Sequence, residues 1–153
     1  GTVDEINSFL GLCKVKAYDQ KLTYDNGILV GDKLEEIQQD LFIIQAELAG
    51  AGKTISSDKI TKLETIVDTI EKELPPIKNF FISGGTELGA LFDFGRTIAR
   101  RAERRVIAVI EEGKTVVGDQ TKAYLNRLSS VLYALARLAN HQAGVKEKPP
   151  TYD

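Results

Sequence analysis

Residues 96–105 read RTIARRAERR, five arginines in ten positions with one acid, Glu103, among them. Arg96 with Arg100, Arg100 with Arg104, and Arg101 with Arg105 are like charges four residues apart, and on an isolated helix each such pair costs about 0.2–0.5 kcal/mol. A polyanion turns that repulsion into attraction. Guanidinium groups suit phosphate oxygens because their planar fork donates two parallel hydrogen bonds. The chemistry these residues can do is therefore to bind a phosphate-bearing ligand and neutralise its charge, with Glu103 orienting an arginine or holding a metal-linked water. The bland alternative is a solvated face whose arginines are paired by Asp93, Glu103, Glu111 and acids of neighbouring helices.

Two further segments favour a ligand. In YLNRLSSVLYALARLAN, Asn126 and Arg127 interrupt a run that is apolar almost all round, so both need partners in a largely buried setting. A nucleotide could supply them. Ahead of the arginines, Phe80 and Phe81 are followed by Ser83, Gly84 and Gly85, which sets aromatic surface beside backbone that a ligand can approach closely. The only histidine, His141, falls beyond the last helix, and Cys13 sits on an apolar stripe, so neither is read as catalytic. AGAGKT ends like a phosphate loop, but the glycine required five residues before Gly52 is Glu47, and the segment closes a helix instead of opening one.

Five helices must position these groups. The first opens the chain, with Thr2 and Glu5 fitting a capping box and Ile6, Phe9, Leu10 and Cys13 at helical spacing. The second runs over 31–48 and ends at AGAGKT. The third starts after Ser57 and Asp58 and is stopped by Pro75 and Pro76, beyond which PPIKNFFISGGT is a loop. The fourth covers about 87–111 and the fifth about 119–140. On a wheel of about 100° per residue, Leu91, Ile98, Ala102 and Val109 form the inward stripe of the fourth helix, while Arg96, Arg100, Glu103 and Ile107 fall opposite. Ile107 on that face hints at cover by another subunit. No convincing strand is present, and the pattern predicts an all-α, five-helix up-and-down bundle of the ferritin-like kind over residues 1–140, with 141–153 as a mobile tail.

Composition narrows the class. The 153 residues, 42% apolar and 27% charged, suit one domain with a real core. Twenty basic against twenty-two acidic residues leave a net charge of −2, so no global attraction to nucleic acid or an acidic membrane exists and anion binding must be local. A nucleic-acid-binding helix is disfavoured on the same ground, and because no aromatics interleave with the arginines. One cysteine excludes an internal disulfide, and neither a signal peptide nor a membrane span is recognisable, which makes the cytoplasm the expected location. The absence of Met implies that the chain begins within a longer polypeptide or after processing.

Taken in order, GTVDEINSFLG, LPPIKNFFISGG, RTIARRAERRV and YLNRLSSVLYALAR resemble the ATP:cob(I)alamin adenosyltransferases of the propanediol-utilisation type, over nearly all of residues 1–140. The resemblance implies a homotrimer with active sites between subunits, transferring the 5'-deoxyadenosyl group of ATP to the cobalt of cob(I)alamin. It implies that Arg100, Arg101, Glu103, Arg104 and Asn126 belong to the ATP site, that Arg96 pairs with Asp4 of a neighbouring subunit, and that Phe80 presses on the lower face of the corrin. Arg100, Arg96 and Phe80 are the residues it makes catalytic. It assigns no protein metal ligand, brings Mg2+ with the triphosphate, and suggests a cobalt reductase and an adenosylcobalamin-dependent mutase as partners. Ser83 stands where this family usually has proline and Ser130 where it usually has an acid, and the family's threonine- and glycine-rich phosphate-wrapping segment lies ahead of the first helix. The reading from another class is a non-catalytic oligomeric bundle whose arginines form an intersubunit salt-bridge belt.

Overall fold

The computed structural model describes all residues except 78, 79, 115 and 116. Two of these fall within the loop read between Pro75 and Thr86, and that part of the reading lies outside the described residues. Five helices carry the chain: α1 (Thr2–Asp19), α2 (Val30–Leu48), α3 (Ser57–Glu71), α4 (Glu87–Glu111) and α5 (Asp119–Gln142). They pack as α4 on α5 and α1, α1 on α2, and α5 on α3, around one apolar core. Ile6, Leu10 and Cys13 of α1, Leu41 and Ile44 of α2, and Phe92 of α4 are sealed within it. The expected five-helix bundle is the observed fold.

Four details differ from the expectation. The N-cap of α1 is Gly1, and Thr2 lies inside the helix without a capping bond. Glu5 uses its backbone N–H on Gly1 O at 3.1 Å, and its carboxylate is engaged elsewhere. Between α1 and α2 sits a two-residue hairpin, β1 (Thr23–Tyr24) and β2 (Ile28–Leu29), antiparallel with Thr23 opposite Leu29. Its turn, Asp25-Asn26-Gly27, holds three successive residues at positive φ, which these residue types adopt at low cost. Strands this short carry no periodicity to read. The core face of α4 keeps Ile98 and Ala102 of the predicted stripe but is rotated from it: Phe92, Gly95, Ala99 and Val106 are buried as well, and Leu91 and Val109 lie at its margin. Finally, α5 runs two residues past Asn140.

Buried polar groups on α2 fix its register against α5. The Tyr124 hydroxyl donates to Asp40 Oδ2 at 2.8 Å, Lys59 Nζ reaches Asp40 Oδ1 at 3.1 Å, and Thr121 Oγ1 donates to Glu47 Oε1 at 2.7 Å. Burial and the adjacent Asp40 carboxylate push the Tyr124 hydroxyl well above its ordinary pKa, so it remains a donor at every working pH. The Cys13 thiol, fully buried, is pushed up to about 12.

Two outcomes are expected. Tyr124→Phe removes one donor from a buried carboxylate and lowers the unfolding free energy by about 1–3 kcal/mol in urea titration. At pH 8 Cys13 stays unlabelled by a water-soluble disulfide reagent in the native protein and reacts once denaturant is added, as followed by released thiolate.

Candidate functional site

The arginine face depends on how α4 is seated. Thr86 caps the helix by accepting the Gly89 N–H at 3.0 Å and donates its own proton to Asn140 Oδ1 at 2.7 Å, so the same hydroxyl starts α4 and ties it to α5. A Cβ at Gly89 would stand 2.3 Å from Asn140 Oδ1, and one at Gly95 would stand 3.2 Å from the Phe9 ring. These glycines let α5 and α1 approach the backbone of α4. Phe9 also meets Phe94 edge-on, with centroids 5.4 Å apart. The side of the helix opposite the buried Phe92, Ala99, Ala102 and Val106 is left to the cations.

Arg96 to Arg104 cover about 12 Å along the axis at 1.5 Å per residue. Arg96 Nε bonds Asp93 Oδ1 at 3.0 Å, within its own helix, and Arg101 pairs with Glu5 of α1. Arg100, Arg104 and Arg105 are exposed, and among the described residues none has a carboxylate within ion-pair distance. A fully paired face is therefore not what the chain builds. Three guanidinium groups remain available to an external anion, with Arg100 and Arg104 on the same side one turn apart.

Glu103 does not orient an arginine of its own helix. It accepts a hydrogen bond from Asn126 Nδ2 at 3.2 Å, Asn126 Oδ1 accepts from Arg127 Nη1 at 2.8 Å, and Arg127 Nε reaches Glu64 Oε2 at 3.2 Å. The partners demanded by Asn126 and Arg127 are thus met within the chain, across α4, α5 and α3. The relay brings Glu103 and Asn126 together beside the cations and holds the Asn126 amide in one orientation.

Phe80 and Phe81 separate in role. Phe81 is half-buried and stacks on Tyr133 of α5, centroids 5.6 Å apart at 29°, whereas Phe80 is 80% exposed. Tyr133 lies within electrostatic reach of Arg96 and Asp93, and burial raises its hydroxyl pKa against the lowering pull of Arg137. The aromatic loop therefore adjoins the Arg96 end of α4. Asp4 is exposed and forms no ion pair with Arg96 inside one chain. It borders a cleft of about 500 Å³ between the start of α1 and the ends of α2 and α4, which Arg105 and Lys114 also line. His141 is exposed at the far end of α5, away from the arginines.

The sequence reading missed Glu5 as the partner of Arg101 and Glu64 as the partner of Arg127, since nothing local marks a carboxylate that acts across helices. It also missed Arg137, although a lone cation in LYALARLAN carries the same signal as Asn126 and Arg127.

Fold and site together define a five-helix bundle that presents a row of exposed arginines on one helix. The chain belongs to the cobalamin adenosyltransferase family, whose sequence model matches residues 1–139. It is similar to the corrinoid adenosyltransferase PduO of Citrobacter freundii, 38% identical over 150 residues that cover 94% of this chain and 42% of that protein. A corrinoid adenosyltransferase of Bacillus subtilis is 34% identical over 149 residues, covering 95% of this chain and 74% of that one. Among solved structures, a variant PduO-type ATP:corrinoid adenosyltransferase from Lactobacillus reuteri complexed with cobalamin and ATP superposes with a TM-score of 0.84 at 29% identity, covering 99% of this chain and 81% of that one. The chain thus spans less than half the length of the Citrobacter protein.

The free cations predict a linked pair of effects. Inorganic triphosphate raises the melting temperature of the protein, and the rise shrinks as salt is added. Arg100→Ala relieves two like-charge pairs, gains about 0.2–0.5 kcal/mol per pair without ligand, and loses most of the triphosphate shift in differential scanning fluorimetry.

Proposed function

We propose that the protein transfers the 5'-deoxyadenosyl group of ATP to the cobalt of cob(I)alamin, giving adenosylcobalamin and triphosphate. The observation that carries this reading is the set of exposed arginines on α4, Arg100, Arg104 and Arg105, without carboxylate partners in a chain of this family. The cobalt lone pair forms a bond to the ribose 5' carbon as the bond from that carbon to the triphosphate oxygen breaks. Electrons and atoms balance without a proton transfer, so no general base is required.

Arg100, Arg101 and Arg104 bind the triphosphate and stabilise the charge that grows on its oxygen as the bond breaks. Arg101 exchanges or shares its Glu5 contact when the ligand is bound. Asn126, oriented by Glu103, contacts the nucleotide. Phe80 presses on the lower corrin face and keeps the axial base off the cobalt, a geometry that favours four-coordinate cobalt(II) and its reduction. The protein's main tasks are to position two reactants and exclude water, since cob(I)alamin is already a strong nucleophile. Magnesium would travel with the triphosphate and neutralise part of its charge, with no ligand assigned to it from this chain.

The assembly proposed is a homotrimer with the site between subunits, in which Arg96, now held by Asp93, also faces Asp4 of the neighbour. Residues 1–140 act as the single catalytic domain. A cobalt reductase supplying the substrate and a mutase consuming the product are the partners proposed. No helix among the described residues is long and apolar enough to cross a membrane, and the location proposed is the cytoplasm. Arg100, Arg104 and Arg105 are equally free to meet a neighbour's carboxylates, as the non-catalytic belt requires, and the assay below separates the two readings.

Anaerobic mixing with ATP and cob(I)alamin yields a light-sensitive cobalt–carbon product and one triphosphate per turnover. Arg100→Ala lowers kcat/KM by about 10²–10³-fold, the scale of one lost transition-state donor, and sedimentation reports a trimer. Unchanged cob(I)alamin with the wild-type protein overturns the reading.

A further inference from the structure

Arg137 is a charged side chain that the reaction above does not use, yet at 3% exposure it is the most deeply buried charge among the described residues. Its Nε donates to Glu147 Oε1 at 2.6 Å, and its Nη2 donates to Glu147 Oε2 at 3.4 Å and to Pro75 O at 2.9 Å. One cation on α5 thereby joins the start of the aromatic loop to the segment that follows α5. That segment, read from its composition as mobile, makes further contacts with the same loop. Lys148 O accepts the Ile82 N–H at 2.7 Å, two residues from Phe80. Val145 bonds back to Asn140 O through its N–H at 2.9 Å, and its Cγ1 lies where a Cβ on Gly85 would come within 2.9 Å. One turn before Arg137 on the same helix, Tyr133 holds Phe81 by stacking.

The loop is thus fixed at residues 75, 81, 82 and 85, and Phe80 projects from the middle of it into open space. A buried guanidinium is costly unless fully paired, and replacing such a pair with apolar side chains is often neutral or stabilising, so the pair is not explained by stability alone.

We infer that residues 145–148 are a strap, that the Arg137–Glu147 pair is its latch, and that both are positioning residues for Phe80. This deepens the adenosyltransferase reading and rests on it. Arg137 and Glu147 touch neither ATP nor corrinoid. They hold the backbone that sets how far Phe80 reaches toward the cobalt, and a displacement of about 1 Å at such a group is enough to cost on the order of a hundredfold in rate.

The lower axial base separates this role from general support of the fold. Cob(II)alamin carries that base and needs Phe80 to exclude it; cob(II)inamide lacks it and does not. With ATP and a reductant present, Glu147→Ala is expected to convert cob(II)alamin about a hundredfold more slowly than wild type and cob(II)inamide at the wild-type rate. Electron paramagnetic resonance of the bound cobalt(II) retains the splitting from the axial nitrogen in this variant and loses it in wild type. Glu147→Gln, which keeps an oxygen acceptor for Arg137 Nε, restores most of the rate and serves where Glu147→Ala fails to fold. Without any ligand, hydrogen exchange in Glu147→Ala rises at residues 80–86 and 145–148 and stays at wild-type levels in α1 and α2. Equal losses with both corrinoids, or wild-type conversion of cob(II)alamin, overturn the positioning role. Unchanged exchange overturns the strap itself. A wild-type protein inert toward every corrinoid defeats the adenosyltransferase reading and the positioning role with it, while the exchange measurement still decides whether the strap exists.

Discussion

Helix α4 has to attract on one side and repel on the other. Its guanidinium groups raise the free energy of the helix wherever they stand a turn apart, and among the described residues only two of the five are offset by carboxylates. What keeps the helix in place is its opposite face, where Phe92, Ile98, Ala102 and Val106 are buried and small residues admit α5 and α1 closely. Burying a side chain such as Phe92 is worth about 1.5–3 kcal/mol, so a few such residues outweigh the repulsion. The helix backbone therefore sets the spacing at which the cations leave it, and the proposed reaction would draw on that preorganised charge. The core is the source of that preorganisation.

The bundle was largely legible because its signals are local. Helical spacing, proline stops and the Gly-rich end of α2 are all written within a few residues of the boundaries they set, and all five helices begin or end close to where that pattern places them. The inward face of α4 was less legible because Gly95 and Ala99 are weakly hydrophobic: they are buried through close helix approach, which a wheel of apolar residues underweights. The hairpin at 23–29 was missed because two-residue strands show no alternation, even though Asp25-Asn26-Gly27 carries the turn chemistry.

The site was legible in residue type and not in pairing. The arginine run marks a cationic helix face, but nothing near Glu5, Glu64 or Glu147 in the sequence says which cation each meets, since those contacts join residues 96, 63 and 10 positions apart. Nor could type alone distinguish two adjacent phenylalanines. Their difference comes from Tyr133, which engages one ring and leaves the other free. The Glu103–Asn126–Arg127–Glu64 relay has the same character: each polar group was visible as needing a partner, and only the packing of three helices supplies it.

The sealed sulfur of Cys13 has a bearing on the chemistry proposed. Cobalt in its lowest working oxidation state persists only where electrons are abundant, a setting that cleaves accessible sulfur–sulfur linkages. A fold whose lone thiol lies in an apolar core, and whose cohesion owes nothing to covalent cross-links, has no bond there for such surroundings to break. Its stability is the same before and after the reductant is added.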